Sequence, residues 1–214
     1  MKLIFDIETD DLDATKVWCI VAKELDGKSY RFTPDKIEEG IKLLQDADTL
    51  IGHNIIGFDL PVLGNLYNFK YKGKIIDTLV MSRLYNPVRE NGHSLKTWGY
   101  RLGIPKQEQP EFESYTPAML NYCEQDVILN EAVYKYLLDE GTGFSKQSFD
   151  LEQKTASIMR EQEKTGFYFN SKQAMTLLAE LNQNKADVED EVPVSYTHLR
   201  AHETREALVC RGVG

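Results

Sequence analysis

The chain opens on a short run of apolar and β-branched residues, Lys2-Leu-Ile-Phe-Asp-Ile-Glu-Thr9, followed by the turn-prone pair Asp10-Asp11. This pattern predicts a strand over 2–8. Side chains on a strand alternate faces, so Leu3, Phe5 and Ile7 share one face and Asp6 and Glu8 the other. Further strands are expected at 17–24, 28–33, 48–52 and 74–77, with Asp26-Gly27 as a hairpin turn between the second and third. Helical spacing predicts helices after Thr33-Pro34, with Ile37, Ile41 and Leu44 on one face, and at 59–66, 78–85, 95–102 and 117–139. For the last of these, Thr116 reads as the cap, Pro117 as the first helical residue and Gly141 as the stop. Three antiparallel strands followed by alternating helices and strands give an α/β class, a mixed sheet with helices on both faces. Helical runs from Leu151 and from Lys172 to Asn182 add a helical C-terminal appendage.

Three segments carry candidate chemistry. Asp6 and Glu8 repel each other on one sheet face unless a cation lies between them, and a hard divalent ion takes oxygen ligands of this kind. An exposed polar strand face is the plain alternative. Asp59, in Gly52-His-Asn-Ile-Ile-Gly-Phe-Asp-Leu-Pro61, stands where a helix N-cap belongs, with Pro61 in the first turn. A capping carboxylate can also face a metal through water. In Tyr122-Cys-Glu-Gln-Asp126, the acid shares a helical face with Met119, Tyr122, Leu129 and Val133. A carboxylate inside an apolar stripe must be protonated, paired or metal-bound.

Together these segments resemble the Tyr subgroup of the DEDD-superfamily 3′–5′ proofreading exonucleases. Asp6 and Glu8 match Asp-x-Glu; Asn54, Phe58 and Asp59 match Asn-x-x-x-(Phe/Tyr)-Asp; Tyr122 and Asp126 match Tyr-x-x-x-Asp. The stretch from His93 through Trp98 to Gly103 is similar to the corresponding part of phage-type family A DNA polymerases. The resemblance implies a ribonuclease-H-like sheet, with the first strand central, and a division into three parts. Residues 1–143 would be the exonuclease, 144–193 the helical start of a polymerase region, and 194–214 an aberrant tail. Nothing resembling polymerase palm or fingers motifs follows, so the chain reads as the front end of a longer enzyme whose polymerase region acts in cis.

Composition fits this picture. The chain has 214 residues, 42% of them hydrophobic, which is enough for a substantial core. No apolar run is long enough to span a bilayer, and the first residues enter a strand rather than a signal peptide. Cys19, Cys123 and Cys210 form no metal-binding spacing, which points to a reducing cytoplasm. The net charge of -9 suits an enzyme that clusters acids and grips only a few nucleotides. Lys70, Lys72, Lys74, Arg83, Arg89, Lys96 and Arg101 are candidate phosphate contacts. In the tail, His198 and His202 have helical metal-pair spacing without a further ligand. The tail itself reads as sequence translated out of place.

The expected mechanism is two-metal hydrolysis of single-stranded DNA from its 3′ end, with Mg²⁺ and with Mn²⁺ as a substitute. Asp6 would bridge the ions, Glu8 and Asp126 would complete the site that activates water, and Asp59 would serve the other ion. Tyr122 would orient the attacking water, since a phenol with an ordinary pKa of about 10 is a poor base at neutral pH. Asn54, Phe58 and His93 are candidate substrate contacts. An exoribonuclease and an inactive nucleic-acid-binding fragment stay open beside this reading.

Overall fold

The computed structural model describes residues 1–25, 27–105 and 113–209, with side chains as far as residue 192. It divides into two compact units, Met1–Thr165 and a second from Gly166 onward. The first unit is built on a five-stranded sheet of order β3-β2-β1-β4-β5. Its strands are β1 (Lys2–Thr9), β2 (Val17–Glu24), β3 (Ser29–Phe32), β4 (Thr49–Gly52) and β5 (Lys74–Asp77). β1 pairs antiparallel with β2 and parallel with β4, so the strand carrying Asp6 and Glu8 is central, as expected from the sequence. The sheet is mixed because β2 and β3 are joined by a hairpin, while β4 and β5 are reached through helices. Of the expected hairpin turn, Gly27 donates to the Glu24 carbonyl at 3.0 Å, and Asp26 lies outside the described residues.

Two apolar layers form on the two faces. Leu3, Phe5 and Ile7 join Ile37 and Leu44 of α1 (Ile37–Gln45) and Val62 and Leu63 of α2 (Asp59–Tyr67). Ile4 joins the opposite layer with Met81 of α3 (Thr78–Tyr85), Trp98 of α4 (Leu95–Leu102) and Met119, Val127 and Val133 of α5 (Pro117–Glu140). Glu8 pairs with Cys19 and Thr9 with Val17, so Trp18 is the extra residue of a β-bulge. The bulge lets Cys19 enter the α5 layer while Val17 stays in the other.

α5 begins as its sequence implies: the Thr116 hydroxyl accepts from the Met119 amide at 3.2 Å, and Pro117 follows. It lies across β1 and β2, with Lys23 of β2 paired to its Glu131 at 2.6 Å. Two cap readings differ from the structure. Pro34–Lys36 form a 3₁₀ turn before α1, and the Thr33 hydroxyl bonds the Asp35 carboxylate instead of a helix amide. Asp59 is the first residue of α2 rather than its cap, because its carboxylate is drawn to β1.

α6 (Lys146–Thr165) belongs to the first unit through Gln153, whose side chain accepts from the Asp77 amide at 2.9 Å and donates to the Asp77 carbonyl at 3.1 Å. In the second unit, α7 runs Ser171–Val209. The side chains of 193–209, including His198 and His202, and all of 210–214, including Cys210, lie outside the described residues.

Candidate functional site

The centre of the site is where α5 crosses the C-terminal half of β1. Ligand atoms of Asp6, Glu8 and Cys123 all lie within 4.8 Å of one another. The Cys123 thiol donates to the Asp6 carbonyl at 3.4 Å and to its Oδ2 at 3.7 Å. Burial pushes this thiol well above its ordinary pKa, with Cys19 and the acids adding to the effect. The thiol therefore keeps its proton and acts as a donor to Asp6, leaving the carboxylate oxygens as the hard ligands. That donor set fits Mg²⁺, which prefers oxygen and disfavours soft sulfur.

Asp126 follows Cys123 by about one turn of α5 and is buried, 4% exposed. Tyr122, beside Cys123, is also buried. Asp59 reaches β1 from the other side of the strand end: its Oδ1 accepts from the Ile7 amide at 3.2 Å. Burial raises its pKa to about 7, and the charge of nearby Asp77 adds to the rise. α2, β1 and α5 thus bring Asp59, Asp6, Glu8 and Cys123 to one end of the central strand.

The loop ahead of Asp59 is shaped by close approaches. A side chain at Gly52 would put its Cβ 2.0 Å from Ile55 Cγ2 and 3.1 Å from the Phe5 carbonyl, so only glycine lets β4 turn here. Asn54 is left-handed, with φ 66°, a conformation asparagine tolerates. Its carbonyl accepts from the Gly57 and Phe58 amides, both at 3.0 Å. Asn54 is exposed and Phe58 half-buried.

Asp77 was not picked out by sequence reasoning. It is 1% exposed, and its carboxylate accepts from the amides of Asn54 and Ile56 in the loop (2.9 and 3.0 Å) and of Leu79 and Val80 at the start of α3 (2.9 and 3.4 Å). Burial nevertheless raises its pKa. The available signal was Asp77-Thr78 ahead of the periodic run of α3, an N-cap signature. Thr78 continues the network to the Gly52 carbonyl and to Asn130 of α5, at 3.2 and 2.7 Å.

His93 stands apart. Its Nδ1 shares a hydrogen bond of 2.8 Å with Ser82, which also accepts from Trp98 Nε1 at 3.2 Å. Burial lowers its pKa. Among the described contacts, none joins His93 to the acids.

In sequence, the chain is 24% identical to the DNA-directed DNA polymerase of Enterobacteria phage T3 and 23% to that of Escherichia phage T7, across 87% of its own length in both cases. It spans about a third of those relatives, 36%. No family model matches. In structure, Brucella melitensis NrnC with bound Mg²⁺ superposes with a TM-score of 0.61 at 21% identity, over 77% of this chain and 86% of that one. Escherichia coli RNase D superposes with a TM-score of 0.58 at 15% identity, over 75% and 45%. Over about three quarters of its length the chain therefore shares the fold of these two structures. Among the described residues, no helix is long and apolar enough to cross a membrane.

Proposed function

We propose that this chain is a metal-dependent 3′–5′ exonuclease that removes nucleoside 5′-monophosphates from single-stranded DNA, as the proofreading part of a DNA polymerase. The observation that carries the reading is the contact of Cys123 of α5 with Asp6, which closes a cluster of Asp6, Glu8 and Cys123; Asp126 follows on the same helix. Asp6, Glu8, Asp59 and Asp126 hold two Mg²⁺ ions, and Mn²⁺ substitutes. Bound Mg²⁺ supplies the positive charge that activates water and stabilises the leaving oxygen. Tyr122 orients the attacking water with one hydrogen bond. Cys123 fixes the Asp6 carboxylate, and Asp77 fixes the loop that delivers Asn54, Phe58 and Asp59. Asn54 and Phe58 meet the terminal nucleotide, and His93 meets the strand further out.

DNA is favoured over RNA by the relationship to two phage DNA polymerases across most of the chain. Residues 1–143 are assigned to the nuclease, 144–193 to the lead-in of a polymerase region acting in cis, and 194–214 to a tail outside both. The buried free thiols Cys19 and Cys123 suit a reducing cytoplasm.

The test is incubation of matched 5′-labelled DNA and RNA oligonucleotides with and without Mg²⁺. Stepwise shortening of DNA only when Mg²⁺ is present is expected, and Asp6→Ala should abolish it with the fold intact. Tyr122→Phe should slow hydrolysis by orders of magnitude less than Asp6→Ala, because it removes a positioning bond rather than a ligand. Preferential RNA shortening would transfer the reading to an exoribonuclease.

A further inference from the structure

A cavity of about 840 Å³ lies between the loop after α3, α4 and the C-terminal part of α5. Two arginines in its wall are held in fixed planes. Arg89 Nη2 donates to Glu140 at 2.5 Å, and Arg101 Nη2 donates to the Glu90 carbonyl at 2.8 Å. Both guanidinium groups lie over the Trp98 ring, 4.5 and 4.6 Å from its centroid. After these contacts, Arg89 Nε and Arg101 Nη1 remain buried donors without a protein acceptor. Arg89 is only 9% exposed. A buried charged donor left without an acceptor carries the full desolvation penalty of that group, so these two groups favour an acceptor from outside the chain.

The charge balance in the cavity identifies that acceptor. Lys96 lines the same cavity and is exposed, giving three cations against the carboxylates of Glu90 and Glu140. Glu140 is already engaged by Arg89. An oxyanion with several acceptor atoms matches guanidinium groups whose free N–H bonds come from two side chains. Tyr100 lines the cavity with 69% of its surface exposed, an aromatic face on which a base can stack.

We infer that this cavity binds a backbone phosphate of single-stranded nucleic acid, as an outlying site separate from the carboxylate cluster. Glu140 lies fourteen residues beyond Asp126 on α5, about 21 Å at 1.5 Å per residue. The site therefore holds a part of the strand several nucleotides from the reacting end. The choice of a strand as ligand rests on the proposed nuclease function; the oxyanion site itself does not.

The test is fluorescence anisotropy of labelled dT16 in EDTA across a salt series, with inorganic phosphate and dTMP as competitors. Lys96→Gln and Arg101→Gln are each expected to weaken binding several-fold and to reduce the salt slope by about 0.7 for each phosphate no longer neutralised. Lys96 touches neither Trp98 nor Glu140 in any described contact, so its variant should keep the wild-type circular dichroism and melting temperature. With Mg²⁺, both variants should raise KM for dT16 and leave turnover of a dinucleotide, too short to reach the cavity, unchanged. Reduced dT16 binding in EDTA without any hydrolysis by the wild type would uphold this site and sink the nuclease reading alone. Wild-type affinity and salt slope in folded Lys96→Gln and Arg101→Gln would overturn the proposal, leaving the orphaned donors to water. Binding of dTMP or phosphate that dT16 fails to displace would overturn the strand as ligand.

Discussion

At the scale of single residues, burial makes the protons of two acids, Asp59 and Asp77, hard to remove. Asp59 titrates at about 7 because burial disfavours its charged form, and Asp77 is shifted in the same direction for the same reason. In the unfolded chain both would ionise near pH 4. Between about pH 4 and pH 7 the folded protein binds more protons than the unfolded one, so stability falls as pH rises through this window. A shift of this size in a buried group corresponds to on the order of 4 kcal/mol. In EDTA, the melting temperature should be lower at pH 7.5 than at pH 5.5, and Asp59→Asn should shrink the difference. A wild-type melting temperature that climbs with pH would contradict the burial argument. Asp6, Glu8 and Asp126 were legible in the sequence because an acid breaks an apolar pattern. Cys123 was not, since a cysteine in an apolar stripe looks like core and only the crossing of α5 over β1 brings it to Asp6. Arg89 and Arg101 read as two of the seven candidate phosphate contacts, and nothing local in sequence places both over Trp98.

At the scale of elements, hydrophobic period and turn chemistry located β1–β5 and α1–α5 to within a few residues, because each element obeys its own local rule; α6 begins at Lys146, ahead of the run expected from Leu151, and packs on the first unit. The misread caps mark where another bond competes with capping, a long-range one at Asp59 and a local one at Thr33. Asp59 abandons capping because the Ile7 amide lies within reach across the site. Thr33 bonds Asp35, and Pro34 starts a tighter turn before α1. Thr116 has no such competitor, so its cap holds. Thr116→Ala should therefore cost about 1 kcal/mol, and a chain of this size should melt about 2–4 °C lower. An unchanged melting temperature would mean that α5 is anchored by packing alone.

At the scale of the molecule, the proposed function depends on distant segments meeting at one strand end. β1 supplies two acids from the middle of the sheet, α2 brings a third against the strand at Ile7, and α5 carries a fourth one turn past the Cys123–Asp6 contact. Fold and motifs were readable because order and spacing constrain them jointly; the supporting network through Asp77, Thr78, Asn130 and Gln153 was not, because it forms only when four elements pack together. Thermal unfolding with and without Mg²⁺ tests that convergence most directly, for the wild type and for Asp6→Asn and Asp126→Asn. Ions shared by strand and helix should raise the wild-type melting temperature at millimolar Mg²⁺ by binding the native state, and either substitution should remove most of that rise. A full Mg²⁺-induced rise in Asp126→Asn would show that the helical acid takes no part in the site and would contradict the account.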